Sequence, residues 1–276
     1  MGDAILYAAM FSASVLSGML GVGVAFAAVP ILGIAGMELV NSVQPIALFL
    51  NGVTALFSAI AFARAGFVDW RRSCQLAIVA SIFSPLGALA AERVPEADLW
   101  GAYFLAVLVV VYLLLSNRAN TKTQQTLPFW VVLLIGAPVS AISGLLGVGP
   151  GFLLVPVMIF VGFSPRSAAA MNAVAVIPSS FLSLIPHWGH ASIDAWAALP
   201  IVLASACGAF LGGYLSSTRI SEIALRRLFV VVILALSIYK GISLEGAHLR
   251  QAVNYSSCTE EFIWASAQAR PCRVSN

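Results

Sequence analysis

Ser17-Gly18-Met19-Leu20-Gly21-Val22-Gly23 recurs 126 positions later as Ser143-Gly144-Leu145-Leu146-Gly147-Val148-Gly149, and Val29-Pro30 recurs at the same offset as Val155-Pro156. Gly36 pairs with Gly162 in the same way, Leu86-Gly87-Ala88 with Leu211-Gly212-Gly213, and Asp69 with Asp194 after a slip of one residue. So many matched landmarks identify a duplicated chain. In membrane proteins, an apolar segment broken by Gly and Pro in corresponding places of two halves marks a binding site where the repeats meet.

The composition places this duplication in lipid. Of 276 residues 61% are hydrophobic and only 9% charged, against roughly 25% charged in a soluble globule. Apolar runs of about 20 residues, long enough to cross a hydrocarbon core of roughly 30 Å, recur along nearly the whole chain. Transmembrane β-strands would alternate apolar and polar residues over about 10 positions. Leu105 to Leu115 does not alternate, so the spans are helical. Met1-Gly2-Asp3 lacks a basic leader and no small-residue cleavage site follows, so no cleaved signal peptide is expected. The formal net charge of +3 is spread over short loops and bears on membrane orientation, not on nucleic acid. The four cysteines have no metal-ligand spacing. Cys74 and Cys207 read as small apolar residues of membrane segments, and Cys258 and Cys272 could pair only in an oxidising compartment.

The expected fold is an all-α polytopic membrane protein of two homologous repeats, each with one Gly-broken segment and three transmembrane helices. Repeat 1 covers 1–116, a polar linker 117–127, repeat 2 128–241, and a weakly ordered polar tail 242–276. The broken segments fall near Ile5–Ile34 and Phe129–Val161. The remaining helices are expected near Val43–Phe62, Gln75–Ala91 and Leu99–Leu115, then Ala168–Ile185, Ala195–Leu215 and Leu225–Tyr239. If the broken segments cross the membrane the repeats are parallel, and if they re-enter the repeats are inverted. Re-entry would gather Arg64, Arg71, Arg72, Arg118, Lys122, Arg166, Arg219, Arg226 and Arg227 on one side against Arg93, Lys240 and Arg250. The positive-inside bias favours that arrangement.

The chemistry expected at the breaks follows from the backbone. Each Gly costs a helix about 1 kcal/mol and an interior Pro about 3 kcal/mol, so Gly21, Gly23, Gly147, Gly149, Gly151 and Pro150 open the chain. Pro30 and Pro156 are expected to impose a further local break. Open backbone at membrane depth is tolerated where it lines a cavity, and a helix starting after the glycines turns its amides toward that cavity, a site suited to an oxyanion. Close packing of helices through small residues would explain the same glycines. Asn51 and Asn172, whose pairing across the repeats is a looser suggestion, are the side chains expected to reach a ligand; hydrogen bonding between helices is the competing role, as it is for Ser179 and Ser180. His187 and His190 could serve proton coupling or stand as interfacial residues beside Trp188. No set of acid, base, nucleophile or metal ligands is visible, so catalytic residues, a metal and a cofactor are not expected.

Gly147-Val148-Gly149-Pro150-Gly151-Phe152-Leu153-Leu154-Val155-Pro156 resembles the G-x-G-G-G-x-x-x-x-P element of the sulfite exporter TauE/SafE family. Gly21-Val22-Gly23-Val24-Ala25-Phe26-Ala27-Ala28-Val29-Pro30 is a degraded first copy, and Gly66-Phe67-Val68-Asp69-Trp70 is similar to that family's G-x-V-D-W loop. The resemblance covers about residues 5 to 240. It implies a multi-pass permease of a bacterial or archaeal inner membrane that moves a small anion, such as sulfite, sulfoacetate or another organosulfonate. Val24 and Ala25 replace glycines of the first copy and Pro150 replaces the middle glycine of the second, so the two half-sites are expected to be unequal. The implied partners are the small anionic substrate and membrane lipid, without nucleic acid, and a homo-oligomer is compatible with this. A membrane assembly or accessory protein is the alternative. A cation carrier fits less well, because carboxylates are scarce in the spans.

Overall fold

The computed structural model describes residues 3–34, 43–91, 129–145, 151–184 and 195–235, with isolated helical positions between 101 and 112. Met1–Val231 form one compact unit and Val232–Asn276 a second, of which 232–235 are described and helical. Among the described residues all regular structure is helical. In order, the helices are α1 (Asp3–Leu20), α2 (Ala25–Ile34), α3 (Gln44–Arg64), α4 (Trp70–Ala91), α5 (Phe129–Leu145), α6 (Gly151–Val161), α7 (Pro165–Leu184) and α8 (Ala195–Thr218), followed by a helical stretch over 222–235. The stretches Pro45–Arg64, Pro165–Leu184 and Ala198–Thr218 are long and apolar enough to cross a membrane. Ile5, Ile78, Leu134 and Leu203 are exposed on the outside of the bundle, as lipid-facing residues would be. The expected helix over Leu99–Leu115, the linker and the tail lie largely outside the described residues.

Local sequence explains where the helices begin and end. Pro45 occupies the first turn of α3, where a missing N–H costs nothing. Gly66 closes α3 at φ +78°, and its N–H and that of Phe67 donate to the Ala63 and Phe62 carbonyls. Asp69 then starts α4 by accepting from the Arg72 amide at 3.2 Å, and Ser164 starts α7 by accepting from the Ser167 amide at 3.2 Å. These are helix caps. One expectation is corrected: Pro30 and Pro156 do not break the chain, for α2 and α6 run through them. Each proline can only deprive one carbonyl a turn earlier of its partner, which a short helix tolerates.

The contacts between helices give their directions. α1 packs on α8. A Cβ on Gly208 would meet Phe11 and Ser14, one on Gly212 would meet Val15 and Met19, and one on Gly18 would fall on the Ala209 backbone. Positions rise together, so α1 and α8 run parallel with their backbones in contact. α3 and α7 are antiparallel: Gly52 lies against Phe181, Ala59 clusters with Ala173 and Val174, and Phe62 with Ala169 and Ala170. α2 runs back along α3, since Val24 and Ala25 bond to Thr54 and Asn51 while Ala28 and Leu32 cluster with Val43, Ile46, Ala47 and Leu50. The chain therefore doubles back after α1. α4 packs on α5 and on α7, as α8 packs on α1 and on α3.

One end of the bundle collects the α3–α4 turn, the start of α7 and the end of α8. Arg64 lies over Phe210, Arg72 over Phe163 and Arg166 over Phe67, at 5.5, 5.7 and 5.6 Å from the ring centroids. Arg166 also donates to the Ser216 and Ile220 carbonyls at 3.1 and 2.5 Å, filling orphan acceptors at the end of α8.

Gly212→Val is expected to abolish a monodisperse folded peak in size-exclusion chromatography, because its Cβ would fall on the Val15 carbonyl. Gly66→Ala meets nothing within 4 Å and carries only the left-handed strain of about 1–2 kcal/mol. It is expected to fold with a lowered Tm.

Candidate functional site

The break between α1 and α2 is made by glycines in conformations that other residues rarely adopt. Gly21 and Gly23 have φ of +66° and +79°, and neither has room for a side chain: a Cβ on Gly21 would fall on the Ala169 carbonyl and one on Gly23 on Asn51 Oδ1. Conformation and close approach thus demand the same residue type.

Opening the helix frees backbone groups, and the neighbouring helices receive them. Ser58 Oγ donates to the Gly18 carbonyl at 2.8 Å, and Asn172 Nδ2 donates to the Gly21 carbonyl at 2.6 Å. The Val22 amide reaches back to the Ser17 carbonyl at 3.4 Å. At the start of α2 the Val24 amide donates to Thr54 Oγ1 at 3.2 Å and the Ala25 amide to Asn51 Oδ1 at 2.9 Å. Asn51 Nδ2 in turn donates to Ser180 Oγ at 2.8 Å, and Ser180 passes its own proton to the Val176 carbonyl at 2.8 Å. Asn51 from α3 therefore caps the beginning of α2, and Asn172 from α7 caps the end of α1.

Both asparagines lie about 10 Å along spans of about 30 Å, and they are buried, at 8% and 0% exposure. The start of α6 reaches the same place. A Cβ on Gly151 would come within 2.7 Å of Asn172 Nδ2 and 3.1 Å of the Val22 backbone. Gly21, Gly23, Asn51, Gly151 and Asn172 thus meet in the middle of the bundle. Asn172 Oδ1 has no hydrogen-bond partner among the described residues. Gly147, Gly149 and Pro150, with His187 and His190, lie outside the described residues. No group of three or more His, Cys, Asp or Glu residues able to hold a metal occurs among the described residues. The centre is built from amides, hydroxyls and backbone.

Thr54 and Ser58 were not anticipated from the sequence. Asn51, Thr54 and Ser58 follow the i, i+3, i+7 spacing of one helix face, and that polar stripe on an apolar span was the available sign. The two ends of the Asn51 bridge differ in weight. Ser180→Ala is expected to cost about 0.6–1 kcal/mol, the usual value of a hydrogen bond between membrane helices. Asn51→Leu strands the part-buried Ala25 amide and is expected to cost about 1–3 kcal/mol more, so its Tm in detergent should fall well below that of Ser180→Ala.

The sequence pattern described as sulfite exporter TauE/SafE matches residues 6–240. A probable membrane transporter protein of Xylella fastidiosa (strain 9a5c) is 27% identical over 237 residues, covering 80% of this chain and 88% of that one. A probable membrane transporter protein of Sinorhizobium fredii is 28% identical over 205 residues, covering 70% and 80%, and one of Methanocaldococcus jannaschii is 24% identical over 180 residues, covering 61% and 65%. No solved structure matches the chain. With the apolar spans and the helix broken at Gly21 to Val24, these matches lead to one conclusion: the chain belongs to the sulfite exporter TauE/SafE family of membrane transporters.

Proposed function

We propose that the protein is an inner-membrane permease for a small anion, a sulfur oxyanion or organosulfonate such as sulfite or sulfoacetate, held near the midplane between two inverted repeats. The observation that carries this reading is the meeting of the first helix break, the start of α6 and the buried Asn172 at the centre of antiparallel spans, with Asn51 holding α2 in place. Helix starts can donate to an oxyanion without a counter-charge in lipid. A cation would need carboxylates or aligned carbonyls, and the acidic Asp69 is engaged by Arg72 at the bundle end. The substrate is carried over from the family description and from the chemistry of the site.

The helix directions support the repeat arrangement. α1 pairs with α8 as α5 pairs with α4, and α3 pairs with its counterpart α7. Counterparts that run antiparallel fit a pseudo-two-fold axis in the membrane plane, and the return of α2 along α3 fits a re-entrant segment. Arg64, Arg71, Arg72, Arg166 and Arg219, with Arg226 and Arg227 just after the α8 turn, would then share the cytoplasmic side. The accessory-protein alternative draws on the tight glycine seam between α1 and α8, but that seam leaves the capped break unexplained.

Sulfite uptake into proteoliposomes tests transport. Saturable flux is expected from wild type, and at least a tenfold loss from a folded Gly151→Val, whose side chain would press on Asn172 and Val22; no flux above empty liposomes would favour the accessory role. Orientation is tested by Ala65→Cys in a cysteine-free background. An impermeant maleimide is expected to label it in inside-out vesicles and not in intact cells, and the opposite pattern would reverse the topology.

A further inference from the structure

The two half-sites differ at their asparagines. Around the first break, Asn51 has both polar groups engaged, with Ala25 and Ser180, and Ser180 is itself satisfied by accepting from Asn51 and donating to Val176. The start of α2 is thus occupied by the protein's own side chains. The start of α6 is different. Asn172, 0% exposed, lies against Gly151 and uses only its Nδ2, on the Gly21 carbonyl, while its Oδ1 is unpartnered among the described residues.

The amide cannot be turned round to remove this vacancy, because the Gly21 oxygen only accepts and requires the NH2 group. A buried acceptor without a partner is destabilising, and its oxygen can be satisfied only by a donor. A fully deprotonated sulfonate or sulfate offers none. The first amides of α6 can donate to an anion's oxygens, so the two features together ask for a ligand that accepts with some atoms and donates with another.

Resting on the permease reading, we infer that the ligand site lies in the second half, at Asn172 and the start of α6, and that it selects small oxyanions bearing their own hydrogen-bond donor. That donor is an acidic O–H kept on the oxyanion, or a hydroxyl or ammonium group beside it. Asn51 and its partners act as a structural cap for α2.

Two pairs of probes matched in shape test this on the full chain in nanodiscs: hydrogen sulfite with methanesulfinate, and 2-hydroxyethanesulfonate with 1-propanesulfonate. Each pair exchanges one O–H for a methyl group. In any pair that binds, the hydroxyl member is expected to have a Kd about tenfold or more lower. The ratio should fall to near one in Asn172→Leu, and in the smaller Asn172→Ser should the leucine variant not fold, yet persist in Asn51→Leu. Equal affinities in wild type, or a preference that survives without Asn172, would overturn the inference while leaving anion transport standing. No binding by any of the four anions would overturn the permease reading and the inference with it.

Discussion

A backbone opened inside an apolar bundle has no water to turn to, and every group it frees must find a partner in the protein or in a ligand. Gly21 to Val24 impose that requirement here. Each unsatisfied group would cost several kcal/mol in hydrocarbon, a large share of the marginal stability of any fold. The break therefore determines what surrounds it: Ser58, Asn172, Thr54 and Asn51 stand where Gly18, Gly21, Val24 and Ala25 present their carbonyls and amides. These side chains come from α3 and α7, so the reversal of the chain after α1 is secured by helices from both halves of the sequence.

Close approach of backbones makes these bonds geometrically available. Gly18, Gly208 and Gly212 bring α1 and α8 together without side chains between them, and lipid supplies no hydrophobic drive to replace that packing. At one end of the bundle three arginines, each over a phenylalanine from the other half, add contacts of about 0.5–1 kcal/mol each where exposed. The centre is held by amide chemistry and the end by cationic side chains on aromatic rings. This division keeps charge out of the middle of the described bundle.

Much of the fold was legible in the chain. The apolar runs located the described helices to within a few residues, and Gly21-Val22-Gly23 marked the place where α1 stops, because glycine is penalised in a helix and tolerated where φ is positive. The prolines misled. Pro30 and Pro156 read as breaks, yet short helices pass through both at their middles, since each removes only one N–H and leaves one carbonyl a turn earlier without its partner. Asn51 and Asn172 stood out as polar residues on apolar spans, but their partners could not be read from spacing. Gly21 and Asn172 are 151 positions apart.

By itself the sequence determined the helical membrane class and the position of the first helix break, because hydropathy and backbone propensity are local properties. Only the tertiary structure decided that α3 and α7 run antiparallel, that α2 folds back along α3, and that Asn51 is used up in capping while Asn172 keeps an acceptor unpartnered among the described residues. Those outcomes depend on which helices meet and in which direction, and a hydrogen bond between distant segments leaves no periodic trace in either of them.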